Sequence, residues 1–245
     1  MRGYLVRIGV DHSYGQWNAP VDPSSSAFVY IPIPDNAQKR YAPDLERKYQ
    51  EFVKPLAEFA QRFSHARKAK VTLPSVLLQT KLHLDPDFEY LTYGDNGTKR
   101  GAGLAKLERN DLVAFYAGLR PITNQEGLFY ALIGILVVDR VVQAQEVEAA
   151  RRKENAHTRW SCISEKDIVI RGLCQLSGRF DHCITIGEFR DRAYRVRKDL
   201  EKTWGGLSVK NGYIQRSAVP PAFLDAQKFY DWFREQNVKL LRRNN

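Results

Sequence analysis

The chain has 245 residues, with 38 basic side chains against 28 acidic ones and a net charge of +10. Its 43% apolar and 27% charged shares match an ordinary globular protein able to bury a core without disulfides or metals. The longest apolar run, residues 128–138, is too short for a membrane helix of about 20 residues, and an odd count of three cysteines with no signal peptide argues for a reducing compartment and against a disulfide framework.

Met1-Arg2-Gly3 leads directly into a strand-like stretch at residues 4–10, so no targeting segment is expected and the location reads as cytoplasmic. A polar loop follows at residues 11–23, then a second strand at residues 28–34, whose Pro32 and Pro34 mark an edge or an exit. Residues 44–63 carry Leu45, Tyr49, Phe52, Leu56, Phe59 and Phe63 on one helical stripe, with Asp44 as cap and Pro55 predicting a kink. Residues 71–94 look irregular and surface-wrapping. Two β-prone runs, residues 111–119 and 129–138, flank a turn-rich gap and predict a strand–loop–strand unit. A helix is expected over residues 141–157 and a short strand at Ile168-Val169-Ile170. Phe189, Ala193, Val196, Leu200 and Trp204 recur at helical spacing until Gly205-Gly206, and Pro220-Pro221 opens a C-terminal helix. Taken together, the elements predict a single α+β domain spanning residues 1–245, with a small mixed β-barrel core and inserted and C-terminal helices.

The charge is uneven. Residues 1–147 hold 18 basic and 16 acidic side chains, whereas residues 148–245 hold 20 and 12. A one-sided basic excess suits a polyanionic partner that the last third would track along its backbone.

Asp11 and His12 sit where the first strand ends, a common place for groups that move protons or orient a ligand; the competing explanation is an Asx turn beside a surface histidine. His83, Asp85, Asp87 and Glu89 alternate along an extended segment and could face one side, where carboxylates share acid–base work or hold Mg²⁺, with Asp22 and Asp95 as partners from other loops. Asp11, His12, Asp85 and Asp87 are therefore the catalytic candidates. Ser208, Tyr213, Gln215, Arg216 and Ser217 could contact phosphates or base edges, with Gly212 permitting a close backbone approach. Cys162, Cys174 and Cys183 with His182 lack metal-ligand spacing and read as plain thiols. No metal site is assigned and no cofactor is named. The absence of GxGxxG, Walker, Gly-x-Ser-x-Gly, HExxH and zinc-deaminase signatures removes support for those chemistries.

The paired runs Asp111-Leu112-Val113-Ala114-Phe115-Tyr116 and Ile133-Gly134-Ile135 resemble the strand pair of PUA-like domains of the EVE, YTH and ASCH group, which implies the barrel. Five motifs in order look like the third nucleotide modification associated domain family: residues 11–15 with 18–23, residues 83–89 with 92–95, residues 111–119, Asn155-Ala156-His157, and residues 206–208 with 212–217. The chain departs from that pattern at Ser177-Gly178-Arg179-Phe180, where the resemblance implies a Ser-Arg-Leu-Leu type of segment.

The resemblance implies a protein that recognises, or helps install, a modified base. Tyr14, Trp17, Tyr93 and Tyr116 would wall a base-sized pocket, with Asn18, Asp22, His83 and Asp95 supplying polar contacts. Its expected partner is nucleic acid or a nucleotide, with DNA ahead of RNA, and no membrane. Two other readings stand beside it: an enzyme using Asp and His groups on nucleotides, and a plain DNA- or RNA-binding module. A deep pocket lined by titratable groups would separate enzyme from binder.

Overall fold

A computed structural model describes residues 1–13, 17–63, 71–123, 127–216 and 219–245. In chain order the strands are β1 (Gly3–Arg7), β2 (Pro20–Val21), β3 (Ile33–Pro34), β4 (Leu82–His83), β5 (Thr92–Asn96), β6 (Leu112–Pro121), β7 (Phe129–Gln143), β8 (Asp167–Gly172), β9 (Gly178–Thr185), β10 (Gly187–Arg190), β11 (Ala193–Val196) and β12 (Leu240–Leu241). The α-helices are α1 (Val53–Arg62), α2 (Ser75–Leu78), α3 (Ala156–Arg159), α4 (Lys198–Thr203) and α5 (Ala226–Arg234).

β6 and β7 form the predicted strand–loop–strand unit, pairing antiparallel from Leu112 with Val137 to Leu119 with Phe129. Around them an eight-stranded sheet runs β1-β6-β7-β8-β5, with β9 joining β7, β12 joining β9, and β2 joining β6. Both faces of this pair are covered, which is why both strands read as almost unbroken apolar runs instead of alternating. One face packs with Phe88, Phe115, Ile170 and Phe59, the last from α1. The other packs with Tyr116, Phe180, Trp204, Phe229 and Phe233, where α4 and α5 close over the sheet.

The α+β class is as expected, but the barrel is not: among the described residues the strands form open sheets, with β10-β11 and β3-β4 as separate pairs. Several local expectations also change. The first helix begins later, as a 3₁₀ turn at Tyr49–Phe52 running into α1, while Asp44 adopts a left-handed φ of 62° instead of capping it. Pro55 is the third residue of α1, where its missing N–H is not needed, so it demands no kink. Residues 71–94 do not wrap the surface, because Leu82, Leu84 and Phe88 are fully buried. The helix expected over 141–157 is the end of β7, two 3₁₀ segments and the four-residue α3. The helix expected from Phe189 to Trp204 is a β10–β11 hairpin followed by α4. The C-terminal helix starts at Ala226, with Asp225 accepting from the Lys228 N–H at 3.1 Å.

The three thiols lie apart. Cys162 and Cys174 are exposed, whereas burial pushes the Cys183 thiol up to about 12. A thiol-specific reagent at neutral pH should label Cys162 and Cys174 quickly and Cys183 only after unfolding. Rapid labelling of all three in the native protein would contradict this placement.

Candidate functional site

The site is assembled around one carboxylate. Asp85 lies two residues beyond the end of β4 and is 6% exposed. The Gly94 N–H, on β5, donates to both of its oxygens at 2.9 Å, and Asn155 Nδ2 donates to Oδ1 at 3.1 Å. Asn155 also caps α3, its Oδ1 accepting from the His157 N–H at 2.9 Å. One asparagine thus ties the start of this short helix to the buried carboxylate. Gly94 makes the approach possible: a Cβ there would lie 2.4 Å from His157 Cδ2 and 2.6 Å from Asn155 Oδ1.

Two imidazoles flank Asp85. His83 Nε2 and His157 Nε2 stand 3.8 and 3.7 Å from the same Asp85 oxygen, Oδ2, beyond hydrogen-bond reach. Their other ring nitrogens face two further carboxylates, His83 Nδ1 at 3.6 Å from Asp35 Oδ1 and His157 Nδ1 at 3.4 Å from Asp167 Oδ2. Asp35 is held by Trp160 Nε1 at 2.8 Å and by the Tyr41 hydroxyl. The Trp160 ring also packs against both histidines, 5.8 Å from His83 and 4.8 Å from His157.

Burial pushes the Asp85 carboxyl up to about 7, with the charge of His83 and the Gly94 N–H acting against it. Burial likewise holds the His157 imidazolium below its usual range, the Asp167 carboxylate partly opposing this. Asp35 and Asp167 go the other way. Burial would raise both, but the neighbouring His83 and His157, respectively, outweigh it and lower them, with the bonds from Tyr41 and Trp160 adding to the effect at Asp35. Asp95 is raised, again chiefly by burial.

These groups open into a cleft of about 380 Å³ lined by Arg7, Asp11, His83, Asp85, Tyr93, Asp95, Asn96 and His157 among others. That volume lies within the range of small-ligand sites, roughly 300–1,000 Å³. Arg7 spans its rim: its Nη2 pairs with Asp11 Oδ2 at 2.9 Å and its Nη1 donates to the Gln215 carbonyl at 2.5 Å.

Of the sequence candidates, Asp11, His83, Asp85, Tyr93 and Asp95 meet in the cleft. His12 is exposed next to it but does not line it. Asp87 turns away and is wholly buried, its Oδ2 accepting from Arg159 at 2.7 Å and its Oδ1 from Asn244 at 3.0 Å. Asp22 is buried by bonds from Ser24 and Ser25, and Asn18 donates to the Gly118 carbonyl, so both shape their loop instead of facing a ligand. Trp17 and Tyr116 are core residues; the Tyr116 hydroxyl donates to the Ile214 carbonyl at 2.7 Å on the opposite face of the sheet. Tyr93 is buried too, its hydroxyl donating to Asp95 Oδ2 at 3.0 Å.

The expected phosphate-contacting group does not converge on the cleft. Ser208 is engaged with Ala222, Tyr213 packs under Arg195, and Gln215 Oε1 accepts from the Tyr194 N–H. Arg216 is exposed and absent from the cleft lining. Tyr14 and Ser217 lie outside the described residues.

Four functional groups escaped the residue-level reading: Arg7, Asp35, His157 and Asp167. Asn155-Ala156-His157 belongs to the family pattern, and an asparagine cap followed by a histidine is its signal in the sequence. The carboxylate alternation suggested metal chemistry near Asp85 without assigning a site. Among the described residues, His83, Asp85 and His157 form the one group of His, Cys and acidic side chains placed to hold an ion, with ligand atoms all within 4.8 Å of one another.

The family model described as nucleotide modification associated domain 3 matches residues 2–203. All the cleft-lining groups fall inside that span; α5 and β12 fall outside it. No curated protein and no solved structure matches the chain. Among the described residues, no helix is long and apolar enough to cross a membrane.

Proposed function

The chain belongs to the nucleotide modification associated domain 3 family, and from that premise we propose that it takes a nucleotide, free or within DNA, into the cleft around Asp85 and acts there on a modified base. The observation that carries this reading is the convergence of two imidazoles and the carboxylates Asp11, Asp85 and Asp95, from segments far apart in sequence, on one open cavity, with Asp35 and Asp167 behind the imidazoles. Burying so many ionisable groups together is costly for folding, and such clusters concentrate at functional sites. Asp95 would accept from an amino or imino group of a base edge, and Arg7 would donate to a phosphate or carbonyl oxygen.

Enzyme is favoured over passive reader by the same lining. A stacking cage needs exposed ring faces, whereas Tyr93 and Tyr116 are buried and hydrogen-bonded. The basic excess of residues 148–245 supports nucleic acid as the natural form of the substrate.

Ligand-observed NMR with the common deoxynucleoside and ribonucleoside monophosphates, repeated with a short single-stranded DNA, tests the reading. At least one probe should bind, DNA binding should weaken as salt rises, and Asp95→Asn should lower affinity about 10-fold, the worth of one charge-assisted hydrogen bond. Absence of binding by every probe at low salt overturns it.

A further inference from the structure

We propose that His83 Nε2, Asp85 Oδ2 and His157 Nε2 are the protein ligands of a divalent first-row transition-metal ion, with its remaining positions open to the cleft. The inference deepens the preceding reading, on which it rests only for what the ion would do there; ion binding itself is independent of any nucleotide.

The geometry is that of a ligand set and fits poorly with a hydrogen-bonded cluster. Both Nε2 atoms point at a single carboxylate oxygen yet stop at 3.7 and 3.8 Å. That is too far for a hydrogen bond. Ligand atoms about 2.0–2.1 Å from a tetrahedral ion stand roughly 3.3 Å apart, so the two histidine–carboxylate edges need shorten by only a few tenths of an ångström, and the three ligand atoms already lie within 4.8 Å of one another. Two imidazoles and one carboxylate suit Zn²⁺ or Fe²⁺ in preference to Mg²⁺ or Ca²⁺, which favour all-oxygen sites.

The surroundings supply what such a site needs. Metal-bound imidazoles usually give their second N–H to a carboxylate, which fixes the ring and the tautomer. Here each histidine has its own: Asp35 behind His83 and Asp167 behind His157. Both Nδ1 atoms and Asp167 Oδ2 are buried without a well-formed hydrogen bond, as expected of a frame that tightens when the rings are pulled into place. Asp35 is itself fixed by Trp160 and Tyr41. Asp85 is oriented by Gly94 and Asn155, and Asn155 is bonded to the helix that carries His157. The three carboxylates Asp35, Asp85 and Asp167 surround two imidazoles, so the pocket carries an excess of negative charge that a divalent cation would balance. The open side, toward Asp95 and Arg7, leaves room for water or a substrate oxygen as a further ligand.

The test titrates Zn²⁺, and separately Co²⁺, into the full chain after chelator treatment, read by calorimetry and by the visible absorption of bound Co²⁺. The wild type should bind a single ion per chain and show Co²⁺ bands of nitrogen–oxygen coordination. His83→Ala and His157→Ala should each lower affinity by about 100-fold or more. Asp35→Asn and Asp167→Asn should lower it by about 10–100-fold, the usual cost of losing an outer-shell partner, with circular dichroism unchanged. His182→Ala, at a half-buried histidine paired with Asp181 away from the cleft, should bind as the wild type does. Failure of the wild type to bind either ion overturns the proposal. So does binding that survives both the His83 and the Asp35 substitutions, which do not depend on α3 remaining folded. Because no nucleotide is present, failure here leaves the nucleotide reading standing. Failure of every nucleotide probe with the ion bound would sink that reading and leave the metal site.

Discussion

Arg159→Ala is expected to lower the unfolding free energy by about 3–5 kcal/mol. Arg159 is 1% exposed and Asp87 wholly buried, and their side chains meet at 2.7 Å. Arg159 also donates through Nε and Nη2 to the Lys153 carbonyl at 2.9 and 2.6 Å. Removing one member of a buried ion pair leaves the other as an uncompensated charge, at a cost of about 3–5 kcal/mol. For a chain of this size each kcal/mol is about 2–4 °C in Tm, so the fall should be easily seen by calorimetry. Asp87→Asn added to Arg159→Ala should recover part of the loss, because it removes the stranded charge. A Tm within about 2 °C of wild type for Arg159→Ala would refute the assignment. The site would suffer as well: Arg159 lies two residues beyond His157 on a helix of only four residues, which packing must hold because so short a helix has no stability of its own.

Asp87 also marks where reading the sequence stops. The alternation of His83, Asp85, Asp87 and Glu89 suggested one shared face, but strand geometry ends at His83. The chain turns after Asp85, and the Asp87 and Thr92 backbones pair with each other at 2.9 and 3.0 Å. Period-two reasoning holds only while the segment stays extended. A different ambiguity affected Phe189 to Trp204: spacings of three and four residues fit a helix, yet the same positions satisfy a hairpin followed by a short helix. β6 and β7 were legible because β-branched and aromatic runs of that length, buried on both faces, have few alternatives. Asp11, His83, Asp85, Tyr93 and Asp95 were legible as a polar set in loops and strand ends. Asp35, His157 and Asp167 were not, since their significance exists only where β3, α3 and β8 come together. Nothing local distinguishes Asp35 in Ile33-Pro34-Asp35-Asn36 from an ordinary turn aspartate.

At Gly94 β5 lies tightly against α3. Gly94→Ala should destabilise the protein by about 1–3 kcal/mol, the cost of overpacking a well-filled interior, and should displace His157 from Asp85. The added methyl would sit 2.4 Å from His157 Cδ2, 2.8 Å from Cγ and 2.6 Å from Asn155 Oδ1. Neither neighbour can yield freely: the asparagine is committed to Asp85 and to the His157 N–H, and the imidazole is wedged against Trp160. The backbone conformation of Gly94 is that of an ordinary β5 strand residue, so strain in φ is not the issue; the space is. A double-mutant cycle separates the causes. In a His157→Ala background the penalty for Gly94→Ala should shrink by about 0.5 kcal/mol or more, the lower end of coupling between touching residues, while the Asn155 clash keeps it above zero. An unchanged penalty would mean that the methyl group is accommodated without moving the histidine. A shrinking penalty would mean that this glycine keeps β5 and α3 close enough for Asp85 to face both imidazoles, and that a single methyl group separates a formed site from a broken one.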